Sequence, residues 1–243
     1  GARPSGTTAL LEDIVVPVPA LLPTCERLIE LFARHGYEDN VIFGHAKDGN
    51  IHFMLNERLE GGRMDRLLAL TDEMVELVLG FEGALKAEHG TGRMMAPFVR
   101  LQYGDELHDV MKQVKNLFDP RGVLNPGVII SDDPGAHTRN VKVTPTVEEE
   151  VDRCVECGYC EPVCPSRDLT TTPRQRIVLR REMQAAAAAG DLALLRELEG
   201  DYEYDAVETC AVDGMCQTAC PVDINTGDLT KRLRAEAVGP IAS

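Results

Sequence analysis

The run Cys154-Val155-Glu156-Cys157-Gly158-Tyr159-Cys160-Glu161-Pro162-Val163-Cys164-Pro165 places four cysteines with two, two and three residues between them and closes on a proline. Three thiolates on so short a loop can reach three corners of one iron–sulfur cubane, while the chain and the proline turn the fourth cysteine away. In proteins with two clusters that fourth cysteine serves the other cluster, so a second run is expected. It is present in imperfect form as Cys210, Cys216, Cys220 and Pro221, with Asp213 where the second cysteine of a perfect copy would stand. Rival readings are weaker. Zinc takes four ligands in two pairs and has no use for a third cysteine or for closing prolines. A disulfide framework belongs to small secreted domains, whereas this chain has 243 residues and no signal peptide. A thioredoxin-type pair would leave most of these cysteines unexplained. The eighth cysteine, Cys25, lies in a helical pattern and reads as a small buried hydrophobe.

Composition sets bounds on the rest. With 44% apolar and 27% charged residues, the chain is of ordinary globular type, long enough for one large or two modest domains. A net charge of -15 argues against nucleic acid and anionic membranes, both of which want a basic face. No apolar run reaches the roughly 18 residues of a membrane span. Cysteines kept for clusters imply a reducing compartment, which places the protein in the cytoplasm or peripherally on the membrane. The chain begins inside a structured pattern and stops soon after the second cysteine run, as a piece of a longer polypeptide would.

Taken in order, residues 1–17 read as a loop feeding an extended run, Ile14-Val15-Val16, ended by Pro17. Helical spacing from Ala20 to Arg34 is followed by Gly36 as a stop. Val41 to Ala46 and Ile51 to Leu55 read as strands around the turn formers Lys47-Asp48-Gly49-Asn50. Helices are predicted over about 63–86 and 105–118, before a turn at Asp119-Pro120-Arg121-Gly122. The aperiodic stretch 131–145 reads as a linker, and helical patterns over 172–189, 192–198 and 226–238 accompany the cysteines. The predicted organisation is an α+β cap domain over 1–130, with helices on one face of its sheet, the linker, and an all-α two-cluster domain over 146–243.

A second constellation lies in the hairpin. A four-residue loop at 47–50 would pair Ala46 with Ile51 and set His45 opposite His52 on one face. Two facing imidazoles suit a divalent transition metal, and zinc would need a third ligand while keeping a position open. Glu88 and His89 are the candidates; neighbours on an extended chain point apart, so one can face the metal and the other something else. The bland alternative is a pair of surface histidines and a helix end. His35 reads as a cation at a helix C-terminus, and His108 and His137 as surface residues.

Gly44-His45-Ala46-Lys47-Asp48-Gly49-Asn50-Ile51-His52, Glu88-His89-Gly90-Thr91-Gly92 and Leu124-Asn125-Pro126-Gly127, in this order, resemble the C-terminal half of FAD-linked D-2-hydroxyacid dehydrogenases of the vanillyl-alcohol-oxidase type. That group comprises the D-lactate, glycolate and D-2-hydroxyglutarate dehydrogenases, whose long members carry a fused two-cluster domain. The resemblance covers residues 1 to about 130 and implies a ferredoxin-like sheet. It implies that His45, His52 and Glu88 hold a divalent metal, usually zinc, which grips the substrate. It makes His89 the base that removes the hydroxyl proton while hydride passes to the flavin. Arg3 and Thr7 match the carboxylate-binding positions, where a guanidinium fork holds two oxygens at once. Asn125 and Gly127 would lie near FAD. A metal-bound alkoxide is easier to form and imidazole titrates near neutrality, so these roles are chemically coherent.

Three departures stand out: Lys47 for a glycine in the hairpin, Val128 after Asn-Pro-Gly where lysine is frequent, and Leu11 where some members have a substrate-contacting lysine. No glycine-rich pyrophosphate loop precedes the hairpin, so the chain alone is not expected to hold FAD tightly or turn over. The cysteine part resembles the helical ferredoxin-type domains of succinate dehydrogenase iron–sulfur subunits and anaerobic glycerol-3-phosphate dehydrogenases. That resemblance assigns Cys154, Cys157, Cys160 and Cys220 to one [4Fe-4S] cluster, and Cys164, Cys210 and Cys216 to a second. Asp213 decides whether the second is [4Fe-4S] or [3Fe-4S], since carboxylate is a harder, more labile ligand than thiolate. The function implied is oxidation of a small 2-hydroxy acid by an oxidoreductase flavoprotein. Its electrons would leave through the clusters to an external acceptor, a quinone, cytochrome or electron-transfer protein. The rival is an iron–sulfur electron-transfer or partner-binding module without hydroxy-acid chemistry.

Overall fold

The computed structural model describes residues 3–59 and 64–238. The chain divides into two units, one of residues 9–143 and one in which the described residues up to Thr8 join residues 144–238.

In the first unit the elements run β1 (Thr8–Val15), α1 (Leu21–Arg34), β2 (Val41–Phe43), β3 (Asn50–Glu57), α2 (Asp65–Gly80) and α3 (Val99–Phe118). The sheet order is β1-β3-β2, with β2 and β3 antiparallel. Central β3 has a two-residue period that decides the layering. Ile51, Phe53 and Leu55 enter the core with Leu28, Leu31 and Phe32 of α1 and Leu70, Met74 and Val78 of α2. Phe32 and Phe53 meet at 5.1 Å between ring centroids. The alternate face of β3 is left to Asn50 and His52, polar residues that are nevertheless buried. A small antiparallel sheet with helices is therefore what the α+β expectation amounts to here.

Details differ from the sequence reading. Helix α2 ends at Gly80 rather than running to 86, because Val15 pairs with Ala84 in an isolated antiparallel bridge. The chain is thereby drawn back along β1 before it reaches Glu88. Helix α3 begins early but breaks at Gly104 (φ 78°), and only the part after it follows the predicted periodicity. His108 and His137 are buried, not on the surface; the His137 ring meets Phe98 at 5.8 Å. His35, at the end of α1, binds Glu73 at 2.8 Å.

The second unit is helical: α4 (Glu149–Asp152), α5 (Pro173–Ala189), α6 (Leu192–Tyr202), a π turn over Glu203–Glu208, α7 (Met215–Ala219) and α8 (Thr226–Val238). Helix α5 starts on a reciprocal cap between Thr172 and Gln175, with Pro173 where its missing N–H costs nothing. Val151, Ile177, Ile224 and Leu229 form one small core, and Met183, Tyr202 and Ala206 another. Cores this small leave room for the cysteine loops to be organised by something other than apolar packing. Among the described residues no helix is long and apolar enough to cross a membrane.

Gly49 closes the β2–β3 loop with φ 71°, and a Cβ there would collide with the backbone oxygen of Val16. Gly36 has the same handedness (φ 70°), but its nearest neighbour would be 3.8 Å away. Gly36→Ala should cost about 1–2 kcal/mol of left-handed strain alone. Gly49→Ala should cost distinctly more, read as a larger fall in melting temperature; equal losses would mean the close approach is unimportant.

Candidate functional site

The loop closes one residue earlier than expected, which shifts the strand pairing by two residues. Phe43 faces His52, and His45 exchanges both backbone hydrogen bonds with Asn50 (N to O 3.1 and 3.3 Å). The loop is thus residues 46–49, a single 3-10 turn ending on Gly49, and His45 sits diagonally from His52 rather than opposite it. Diagonal neighbours share a face, so the imidazoles still meet, at 5.5 Å between centroids and nearly edge to face.

Glu88 comes to the same point. Its Oε1 lies 2.7 Å from His52 Nε2 and 3.2 Å from His45 Nε2. The three ligand atoms fall within 4.8 Å of one another, a spacing compatible with one cation between them. His89 stacks on His52 at 4.8 Å. Glu88 and His89 thus both meet His52, and Asp13, His52 and His89 form a second group whose ligand atoms lie within 4.8 Å of one another.

Asp13 of β1, which sequence reasoning passed over, holds this together. Its carboxylate is fully buried, and Oδ2 accepts the backbone N–H groups of Ala87, Glu88 and His89 at 3.0, 2.7 and 2.9 Å. Oδ1 accepts Asn50 Nδ2 at 2.6 Å and lies 3.6 Å from His52 Nδ1. Burial alone would raise the Asp13 pKa, but the N–H groups of His89 and Glu88, the Asn50 amide and the Ala87 N–H together bring it below the usual carboxylate range. An acidic residue in the middle of an apolar strand was the available signal. One carboxylate therefore holds the 87–89 loop and faces Nδ1 of His52. A carboxylate behind an imidazole orients its ring where that ring binds a metal.

In the second unit, Cys154, Cys157, Cys160 and Cys220 line one pocket, closed by Pro221 and Ile224. These are the four cysteines the sequence resemblance grouped. Arg181 braces their loop, donating from Nη2 to the carbonyls of Val151 and Cys154 at 2.5 and 2.8 Å. Burial raises the Cys154 thiol and pushes Cys160 up to about 11, so loading iron must displace protons. Cys164, Cys210 and Cys216 are all buried. The two loops repeat a backbone: residues two beyond Cys154 and Cys210, Glu156 and Val212, have φ 60° and 55°. Those four beyond, Gly158 and Gly214, have φ 83° and 75°. Cys157 and Asp213 occupy the same place in that repeat, both exposed. Asp213 Oδ1 accepts the Met215 N–H at 3.2 Å. Left-handed non-glycine residues are costly and persist where a site requires them.

The remaining candidates fall as follows. Arg3 and Thr7 lie in the second unit; Arg3 is 4% exposed, and neither of its terminal nitrogens has a partner. Burial, then the charge of Arg181, lowers its pKa. Thr7 Oγ1 donates to the Pro4 carbonyl at 2.7 Å. Asn125 and Gly127 shape an exposed turn with φ 47° and 74°, whose approach is held by Asp119 accepting the N–H groups of Val123 and Leu124. Cys25 packs, half-buried, against the first core.

Residues 1–129 match the family profile described as FAD linked oxidases, C-terminal domain. The chain belongs to the FAD-linked oxidases. Residues 150–224 of this FAD-linked oxidase chain match a 4Fe-4S dicluster domain. It is 33% identical to the glycolate oxidase subunit GlcD of Bacillus subtilis over 128 residues, covering 52% of the chain and 27% of that protein. Over 91% of its length it is 26% identical to D-2-hydroxyglutarate dehydrogenase of Escherichia coli, covering 27% of that protein. A third relative, D-lactate dehydrogenase [cytochrome] 1 of Saccharomyces cerevisiae, is 34% identical over 95 residues, 39% of the chain and 16% of the relative. The chain spans about a quarter of the length of the first relatives it matches.

Were His45, His52 and Glu88 to hold zinc, Asp13→Asn should weaken its binding by about 10- to 100-fold, the usual effect of losing such a partner. Calorimetric titration at neutral pH checks this, and unchanged affinity would show that Asp13 does not organise the site. Because the folded pKa of Asp13 lies below its unfolded value, its contribution is fully present above the normal carboxylate range. It is lost only as pH falls through that lower folded value.

Proposed function

We propose that this chain is the substrate- and cluster-bearing part of a flavin- and iron–sulfur-dependent D-2-hydroxyacid dehydrogenase of the D-lactate, glycolate or D-2-hydroxyglutarate class. It would oxidise a small 2-hydroxy acid to the 2-oxo acid. The observation that carries this reading is the meeting of His45, His52 and Glu88 beneath His89, a ligand set beside a base.

The residues present suit a divalent cation. Two imidazole Nε2 atoms face one carboxylate oxygen, at 3.2 and 2.7 Å. When bound, zinc supplies a Lewis acid that lowers the pKa of the substrate hydroxyl, and FAD supplies the hydride acceptor. His45 and His52 offer Nε2, Glu88 offers Oε1, and Asp13 faces His52 Nδ1, which favours the tautomer with Nε2 free to ligate. His89 takes the hydroxyl proton on its ring. Its backbone N–H is tied to Asp13 and its ring stacks on His52, so it is already oriented. Arg3 and Thr7 are the proposed carboxylate-binding pair on the sequence resemblance alone, a guanidinium fork suiting two oxygens. Asn125 and Gly127 would lie near the flavin. The cysteine runs serve onward transfer of single electrons to an external quinone, cytochrome or protein acceptor, in the cytoplasm or at the membrane surface.

Cys154, Cys157, Cys160 and Cys220 hold one [4Fe-4S] cluster, and Cys164, Cys210 and Cys216 the second. Asp213 shares the backbone position of Cys157, which makes it the remaining ligand or an open corner.

In the full-length enzyme, His89→Asn should retain metal, flavin and iron while turnover falls by about two to four powers of ten. Normal activity in that variant would remove His89 from proton transfer. Chain purified without oxygen should carry one zinc and about seven or eight iron atoms. Asp213→Cys should bring iron to about eight and abolish any [3Fe-4S] signal in electron paramagnetic resonance. Iron near half that value would leave the second run empty, and absence of zinc would favour a module without hydroxy-acid chemistry.

A further inference from the structure

Arg176, in the first turn of α5, is 2% exposed and among the largest fully buried side chains of the protein. Its Nη1 reaches Cys164 Sγ at 4.0 Å, while Nε and Nη2 are buried with no hydrogen-bond partner. Among the described residues no carboxylate pairs with it, although neighbouring arginines are matched: Arg180 with Glu148, and Arg181 with Glu156. A permanently charged guanidinium with two idle N–H groups in a dry interior is strongly unfavourable unless an anion completes the site. Tyr202 does not supply one, since it donates its hydroxyl to the Arg176 carbonyl at 3.3 Å.

We propose that Arg176 is the buried counter-charge of the second cluster and a determinant of its reduction potential. The proposal rests on Cys164, Cys210 and Cys216 being that cluster's ligands. Thiolate and sulfide are the acceptors missing around the guanidinium, and the sulfur that Nη1 reaches is that of Cys164. One-electron reduction adds a negative charge to the cluster, so a fixed cation beside it favours the reduced state. Hydrogen bonds to the sulfurs act in the same direction. The identity of the residue matters as well. Arginine stays charged in a desolvated site, where lysine readily loses its proton, and its planar fork can serve several sulfurs at once. Arg176 is thus a positioning and tuning residue, which touches no substrate.

The test uses the full chain, loaded without oxygen, with Arg176 changed to Lys, Gln or Met. Iron and sulfide content and a redox titration followed by electron paramagnetic resonance are read for each cluster, the first serving as internal control. The expected result is a lower potential for the second cluster in the Gln and Met variants. The shift should change its reduced-to-oxidised ratio at least tenfold at a fixed potential, about 59 mV, with Lys between them and the parent. Selective loss of the second cluster from Gln and Met, with retention in Lys, has the same meaning. An unchanged potential in Arg176→Met overturns the proposal. So does loss of the second cluster from all three variants, which would make the role one of packing. Cys216→Ser, run in parallel, tests the ligand assignment separately: full iron content in that variant removes the cluster from these residues whatever Arg176 does.

Discussion

A carboxylate sealed from water must be met by donors, and in the first unit the Asp13 carboxylate meets four. Three come from consecutive backbone N–H groups at 87–89 and one from the Asn50 amide, so loop, hairpin and β1 converge on a single side chain. The return of the chain along β1 at Ala84 brings the loop within reach. Without that convergence Glu88 would have no reason to lie between His45 and His52. The unit's apolar core, built from the other face of β3, supplies rigidity, and the polar face carries the candidate site.

The second unit obeys the same constraint with different groups. Its cysteines are thiols that give up their protons when iron binds, and the cations around them are arginines, chiefly from α5. Arg181 holds the first cysteine loop by its carbonyls, and Arg176 stands against Cys164. An overall charge of -15 makes such local positive charge more necessary. The repeated left-handed residues in the two loops show how short segments direct side chains inward at a cost in backbone strain. Small apolar cores and costly loops describe a unit whose stability depends on what its cysteines bind.

The histidine hairpin shows how a site can survive an error in register. The sequence reading closed the loop one residue too late, yet both histidines stayed on one face, since diagonal and opposed positions share it. A slip that sent one histidine to the opposite face would have destroyed the site. Helix ends were less forgiving: α2 stops where a long-range bridge begins, and no local pattern announces that bridge.

Cysteine spacing, the turn formers at 47–50 and helical periodicity were open to reading from residues alone, because each is a local relation of a few positions. From these came the helical cysteine-bearing unit and the mixed one before it, while Arg3, Thr7, Asn125, Gly127 and the division of the cysteines came from resemblance to known motifs. Asp13, Arg176, the burial of His108 and His137, and the placement of Arg3 with the cluster-bearing unit were settled only by tertiary structure. The partners of Arg176, Asp13 and Arg3 lie 12, up to 76 and 150 residues away along the chain, and charge burial is a property of the folded surroundings that no short pattern encodes.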